Sequence, residues 1–198
     1  MKADLLEKIV KAKDYILSQD DVSIGEIGII LGSGLGYFTD EIKIKTKIAY
    51  DDIPGFLAST APGHQGYLVF GEYDNIDVVV MQGRLHYYEG YSLEDITFPI
   101  HVLANIGIKS LIISNASGGI NTNYSQGDIM IIKDHINFLG LNPLRGVGKS
   151  LQGIQFQDMT NAYDSDYQKQ IHLIARKRGI EVREGVYLFV GGPSYETP

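Results

Sequence analysis

The stretch "EIGIILGSGLG", residues 26–36, runs a short apolar β-type segment straight into a loop of three glycines and a serine. A buried strand that ends in small residues delivers backbone and side chains to the edge of a sheet. The pattern recurs. "SLIISNASGG" (110–119) repeats it, and "VYLFVGG" (186–192) runs into "GGPSYE" (191–196). "IDVVVMQG" (76–83), joined to "YLVFGEY" (67–73) by a turn at Asp74-Asn75, runs into "QGRLHYYEG" (82–90). "DIMIIKDHINF" (128–138) reads as a further strand.

Helical patterns alternate with these strands. Over residues 4–18, Leu5, Leu6, Ile9, Val10, Ile16 and Leu17 recur at three- and four-residue spacings, and Asp4 is a candidate cap. Over 92–106, Ser92 and Asp95 form a capping-box pattern, Leu93, Ile96, Ile100 and Leu103 line one face, and Gly107 ends it. Pro99 predicts a kink or a displaced start. Over 162–178, Tyr163, Tyr167, Ile171 and Ile174 share a face, with Arg176, Lys177 and Arg178 in the last turn. Residues 140–155 lack periodicity and read as a long loop. Strands alternating with helices predict a single α/β domain, its central sheet mixed, mostly parallel and twisted, with helices on its flanks. Ligands of such sheets sit beyond the carboxyl ends of the strands. If the four strand ends lie side by side, they form one pocket.

Composition narrows the function classes. The 198 residues are 44% hydrophobic and 21% charged, enough to build a core. With 17 Lys plus Arg against 24 Asp plus Glu, the net charge of -7 disfavours nucleic acid, and no basic run offsets it. An anion bound here needs a local pocket. The absence of cysteine excludes a disulfide framework, thiolate metal sites and thiol catalysis. The first 19 residues carry acids and lack the apolar centre of a signal peptide. Apolar runs fall far short of a membrane span. The expectation is a cytoplasmic protein with no membrane partner.

Several loops carry candidate chemistry. In "LGSGLG" (31–36) the glycines let N–H groups converge on an anion, and Ser33 adds a hydroxyl; a tight turn explains the stretch equally well. A dinucleotide fingerprint would need glycine where Tyr37 stands, and no Gly-Lys-Ser/Thr follows to make a P-loop. This leaves a dinucleotide-dependent oxidoreductase as a poor third reading. In "GRLHYYEG" (83–90), Arg84, His86 and Tyr88 fall on one side of an extended segment. A guanidinium grips a tetrahedral oxyanion with two donors, an imidazole adds a third, and Glu89 can hold that imidazole in orientation. His64, in "APGHQG" (61–66), sits on a loop with glycines on both sides that can close over an anion. "SNASGG" offers backbone donors beside small side chains, where a flat ring can approach. Glu196 follows Tyr195; a carboxylate suits a ligand edge bearing N–H donors, and the phenol ring can cover a heterocycle. His101, His135 and His172 read as structural, and no histidine–acid set has metal-ligand spacing.

Taken in order, "ILGSGLG", "PGHQGYLVFG", "MQGRLHYYEGY", "NASGGIN", "GDIMIIKDHINFLGLNPLRG" and "GPSYET" resemble the trimeric purine nucleoside phosphorylase family, from about Ile24 to Pro198. The resemblance implies phosphorolysis of 6-oxopurine nucleosides such as inosine and guanosine to free base and ribose 1-phosphate. It implies phosphate as co-substrate, no metal or organic cofactor, and a homotrimer. It assigns phosphate to Ser33, His64, Arg84, His86 and the backbone N–H of Ala116. The nucleoside falls to Tyr88, Ala116, Gly118, Tyr195 and Glu196, with Phe156 supplied by a neighbouring subunit. Family members continue beyond the "ETP" position with a phosphate-contacting serine, an asparagine at purine N7 and a histidine near the ribose 5'-hydroxyl. The expectation is that residues 1–198 form one nucleoside phosphorylase-like domain whose C-terminal part is missing. The alternatives are a methylthioadenosine phosphorylase, against which Glu196 argues, and a truncated homologue that binds phosphate or nucleoside without turnover.

Overall fold

A computed structural model describes residues 2–57, 66–145 and 158–194. The candidates His64, Phe156, Tyr195 and Glu196 lie outside the described residues. The chain divides into two compact units, residues 1–116 and 117–198.

The first unit contains a five-stranded sheet. Its strands are β1 (Ile27–Ile30), β2 (Lys43–Ala49), β3 (Tyr67–Tyr73), β4 (Ile76–Gln82) and β5 (Ser110–Ile113), in the spatial order β2-β3-β4-β1-β5. β1 pairs in parallel with β4 and with β5, while β2, β3 and β4 form an antiparallel meander. The sheet is therefore mixed. Asp74 and Asn75, at φ 51° and 63°, form the two-residue turn between β3 and β4, with Tyr73 opposite Ile76. Such primed turns match the twist of the strands they join.

β3 and β4 read as unbroken apolar runs because both of their faces are buried. On one face Leu31, Ile42, Val69, Val78 and Val80 cluster, with Ile27, Ile29, Leu35, Phe38 and Tyr67 packed around them. On the other, Leu68, Phe70 and Val79 are fully buried. Each such side chain contributes about 1.5–3 kcal/mol relative to exposure.

β2 was not legible in the sequence. Its lysines at 43, 45 and 47 look like a surface run, but they blunt an edge strand. Lys45 Nζ lies 2.7 Å from Asp77 Oδ1, and Lys47 Nζ stands 4.0 Å from the centre of the Tyr67 ring.

Helices α1 (Lys2–Leu17) and α2 (Leu93–Ile106) pack on each other. Of the apolar residues in α1, Ile9 and Ile16 are buried with Ala12, whereas Leu6, Val10 and Leu17 are exposed. Asp4 lies within the first turn rather than capping it, and pairs with Lys8 at 3.2 Å. In α2, Ser92 Oγ accepts from Asp95 N–H at 3.1 Å, and the Asp95 carboxylate accepts from Ser92 N–H at 3.2 Å. Gly107 ends the helix at φ 118°. Pro99 does not displace the start: it is buried inside the helix, which begins at Leu93 immediately after its cap.

The second unit holds β6 (Ile129–Asn137) and β7 (Val182–Phe189), paired in parallel with a register shift between Ile132 and Asp134. Between them comes α3 (Ser165–Arg178). It begins three residues later than the sequence pattern suggested, because Asp164 caps it by accepting from the Asp166 and Tyr167 N–H groups. β7 also starts earlier than expected, at Val182. The three histidines read as structural have structural partners or burial. His135 Nδ1 meets Tyr163 Oη at 3.0 Å, His172 Nε2 meets Glu184 Oε1 at 2.7 Å, and burial pushes the pKa of His101 down. Among the described residues, no helix is long and apolar enough to cross a membrane.

A close backbone approach lies just beyond β1. A Cβ on Gly32 would stand 2.7 Å from Ser114 O and 2.8 Å from Asn115 Cα. Both are main-chain atoms and cannot swing aside. Gly32→Ala is expected to lower the unfolding free energy by about 1–3 kcal/mol, read from urea titration. Ser92→Ala removes one half of the capping box and is expected to cost about 1 kcal/mol in the same measurement.

Candidate active site

Because β4, β1 and β5 are adjacent and parallel, their carboxyl ends emerge side by side. Ile30 is level with Met81 on one side and with Ile113 on the other. Three of the four loops singled out in the sequence therefore start from one edge: "LGSGLG" after β1, "QGRLHYYEG" after β4 and "SNASGG" after β5.

Hydrogen bonds stitch these ends together. Leu31 N–H donates to Met81 O at 3.2 Å, and Ser114 N–H donates to Ile30 O at 3.1 Å. The Ser114 hydroxyl works in both directions, accepting from Gly32 N–H at 3.0 Å and donating to Ile30 O at 3.2 Å. Arg84 Nη1 donates to the Ser114 carbonyl at 2.6 Å, so the guanidinium from the β4 end is fastened to the β5 end. A charged donor on a carbonyl makes a short, strong bond and fixes the plane of the guanidinium. Ser33 lies exposed two residues beyond this junction, and Ala116 likewise.

Along the β4 exit, Leu85 is buried between half-buried Arg84 and His86, the alternation of an extended segment. The extended reading stops there. Tyr87–Glu89 is a turn of 3-10 helix, so Tyr88 does not continue the strand face. It reaches the same side by another route: its ring stacks on that of His86, with centres 4.9 Å apart and planes at 18°. The turn also brings Glu89 back onto His86. One carboxylate oxygen, Oε1, accepts from the backbone N–H of His86 and contacts ring Nδ1, both at 2.8 Å. The Glu89 side chain is only 4% exposed, so the imidazole is held by a fixed, buried acceptor. With Nδ1 engaged there, the ring's orientation is set.

Two further residues of this region carry weight that the sequence did not reveal. Gln82 is buried at the end of β4; its Nε2 donates to Thr39 Oγ1 at 2.9 Å and to Gly36 O at 3.3 Å, anchoring the turn that follows the glycine loop. Tyr50, in "AYDDIP", donates its buried hydroxyl to Gly83 O at 2.7 Å. Burial pushes that hydroxyl far above the ordinary phenol range, so it remains an O–H donor. Ser114 sat inside a quoted motif, but only its small size was read; the signal was a hydroxyl at the last turn of a strand.

The second unit contributes Gly118, exposed, to the list of sequence candidates.

Known proteins share this sequence pattern and fold. The phosphorylase superfamily model matches residues 26–198. Purine nucleoside phosphorylase 1 of Bacillus subtilis (strain 168) is 51% identical over 192 residues, covering 97% of this chain and 70% of that protein. The Geobacillus stearothermophilus enzyme of the same name is 51% identical over 173 residues, covering 87% of this chain and 63% of its own length. Among solved structures, isoform 2 of the Schistosoma mansoni purine nucleoside phosphorylase, in complex with cytosine and ribose-1-phosphate, superposes with a TM-score of 0.84 at 42% identity. That match covers 96% of this chain and 68% of the other. The chain therefore belongs to the phosphorylase superfamily, in its purine nucleoside phosphorylase family.

Proposed function

We propose that the protein is a purine nucleoside phosphorylase, a pentosyltransferase that cleaves 6-oxopurine ribo- and deoxyribonucleosides with inorganic phosphate. The observation that carries this reading is the junction of three parallel strand ends, where Arg84 is fastened to Ser114 and His86 is fixed by Glu89. A phosphate there meets a guanidinium, an imidazole, the Ser33 hydroxyl and the N–H of Ala116. In a protein with a net charge of -7, such a local set of donors is what makes anion binding favourable.

The chemistry follows from that placement. As the glycosidic bond breaks, positive charge gathers on the ribose, as in glycoside hydrolysis. A phosphate held beneath the sugar stabilises that charge and then forms the new bond to the anomeric carbon. The base leaves with the electron pair of the broken bond. Tyr88, stacked on His86, would line the ribose end of the site. Tyr195 would cover the purine, and Glu196 would accept its N1–H. Gly118 and Ala116 are assigned to the nucleoside, and His64 to the phosphate. Phosphate is a co-substrate, and the proposal includes no metal or organic cofactor. It also includes a cytoplasmic homotrimer acting in purine salvage, with Phe156 reaching a neighbouring subunit's ribose, and one nucleoside phosphorylase-like domain over residues 1–198.

Base release from inosine and guanosine is expected to depend on phosphate and to exceed that from adenosine and methylthioadenosine. A preference for the 6-aminopurines would contradict the role of Glu196. Glu196→Gln is expected to lower kcat/KM for inosine by about 10²–10³-fold, the usual cost of losing one transition-state hydrogen-bond partner. Arg84→Ala is expected to raise the KM for phosphate about 10–100-fold, matching the loss of a charge-assisted hydrogen bond. Steady-state kinetics with phosphate as the varied substrate reads this directly.

A further inference from the structure

Tyr50 lies outside the strand-end loops, yet it is tied to the segment that carries Arg84. It is 2% exposed and stands on a short 3-10 turn directly after β2. Its hydroxyl donates to the carbonyl of Gly83, the residue before Arg84, at 2.7 Å. Its backbone N–H donates to Gly66 O at 2.8 Å, and Gly66 N–H donates in turn to Gln82 O at 3.0 Å. One residue therefore braces Gln82 and Gly83 from two directions, through its main chain and through its side chain.

The brace acts at a point where the chain has freedom. Gly83 sits at φ 106°, a conformation that glycine adopts readily and that the strand ladder no longer fixes. The peptide after it leads directly into Arg84, so the setting of that peptide aims the guanidinium at the Ser114 carbonyl. The Tyr50 ring is itself immobilised. It lies 5.4 Å from the Phe56 ring, which lies 5.8 Å from Phe98 on α2. The edge strand β2 and helix α2 are thereby linked to the anion-binding segment through three aromatic rings and one hydrogen bond.

We infer that Tyr50 is a positioning residue for phosphate, fixing the Gly83 carbonyl so that Arg84 is presented to the anion in a single orientation. The inference rests on the phosphate reading of the Arg84 site. It assigns Tyr50 no contact with substrate. Its hydroxyl acts on the ligand only through Gly83 and Arg84, so its loss should act on phosphate and spare the nucleoside.

The test compares the full-length wild type with Tyr50→Phe, which keeps the ring and removes only the donor, and with Phe56→Leu, which loosens the same aromatic cluster but keeps the hydroxyl. Inorganic phosphate binding is measured by calorimetry, and the KM values for phosphate and inosine by kinetics. Tyr50→Phe is expected to weaken phosphate binding about five- to thirtyfold, while the KM for inosine stays within about twofold. Phe56→Leu, which keeps the hydroxyl, is expected to lower the thermal midpoint and to weaken phosphate binding clearly less than Tyr50→Phe does. Unaltered phosphate binding in Tyr50→Phe would overturn the inference, as would an equal weakening in both variants. A wild type that binds phosphate without turnover, with binding weakened in Tyr50→Phe, would sink the proposed activity and leave the role of Tyr50 standing. A wild type that binds no phosphate would remove both.

Discussion

Gly32 lies so close to the main chain of Ser114 and Asn115 that the position has no room for a side chain. That approach lets the Ser114 hydroxyl take the Gly32 N–H and give its proton to Ile30 O, closing β1 against β5 beyond the last ladder pairing. It also turns the Ser114 carbonyl toward β4, where Arg84 takes it. If the β1 and β5 ends were further apart, the guanidinium would lose its anchor and the three loops would no longer converge. Backbone packing at one glycine thus sets the geometry of the charged group on which the proposed anion binding depends.

The division of labour in the first unit follows from this. Burial on both faces of β3 and β4 makes the sheet rigid, and the meander through β2 carries Tyr50 to the back of the Arg84 segment. The side chains proposed to meet a ligand stand on the loops, while those that fix the loops are buried: Gln82, Tyr50 and the Glu89 carboxylate. Buried polar groups are costly unless bonded, so the bonds of Gln82 Nε2, the Tyr50 hydroxyl and the Glu89 carboxylate favour one arrangement. The rigidity of the site is therefore a property of the partners behind Arg84 and His86 as much as of those residues.

The sequence was most informative where chemistry and local geometry coincide. The glycine-ended strands, the Asp74-Asn75 turn and the Ser92 cap were legible because each depends on a few neighbouring residues. So was the pairing of Glu89 with His86, three positions apart. Features that depend on distant partners were not. β2 is a strand because β3 offers it an edge, and its lysines disguise the alternation. Tyr50 is significant only because residues 33 positions away come to meet it. Tyr88 shows a third case: the expected side was reached, but through a 3-10 turn and a ring stack in place of strand alternation. For Tyr195 and Glu196 the residue chemistry alone suggested a heterocycle with N–H donors, and only the resemblance to the family narrowed it to a purine.

The account stands on phosphate occupying the junction of the β4, β1 and β5 ends. The most direct measurement is a crystal structure of the protein grown with inorganic phosphate. The account predicts density for the anion within hydrogen-bond reach of Arg84, His86, Ser33 and the Ala116 N–H, with the Arg84–Ser114 and His86–Glu89 bonds retained. Phosphate bound elsewhere while this junction stays empty, or an Arg84 side chain turned away from Ser114, would contradict it.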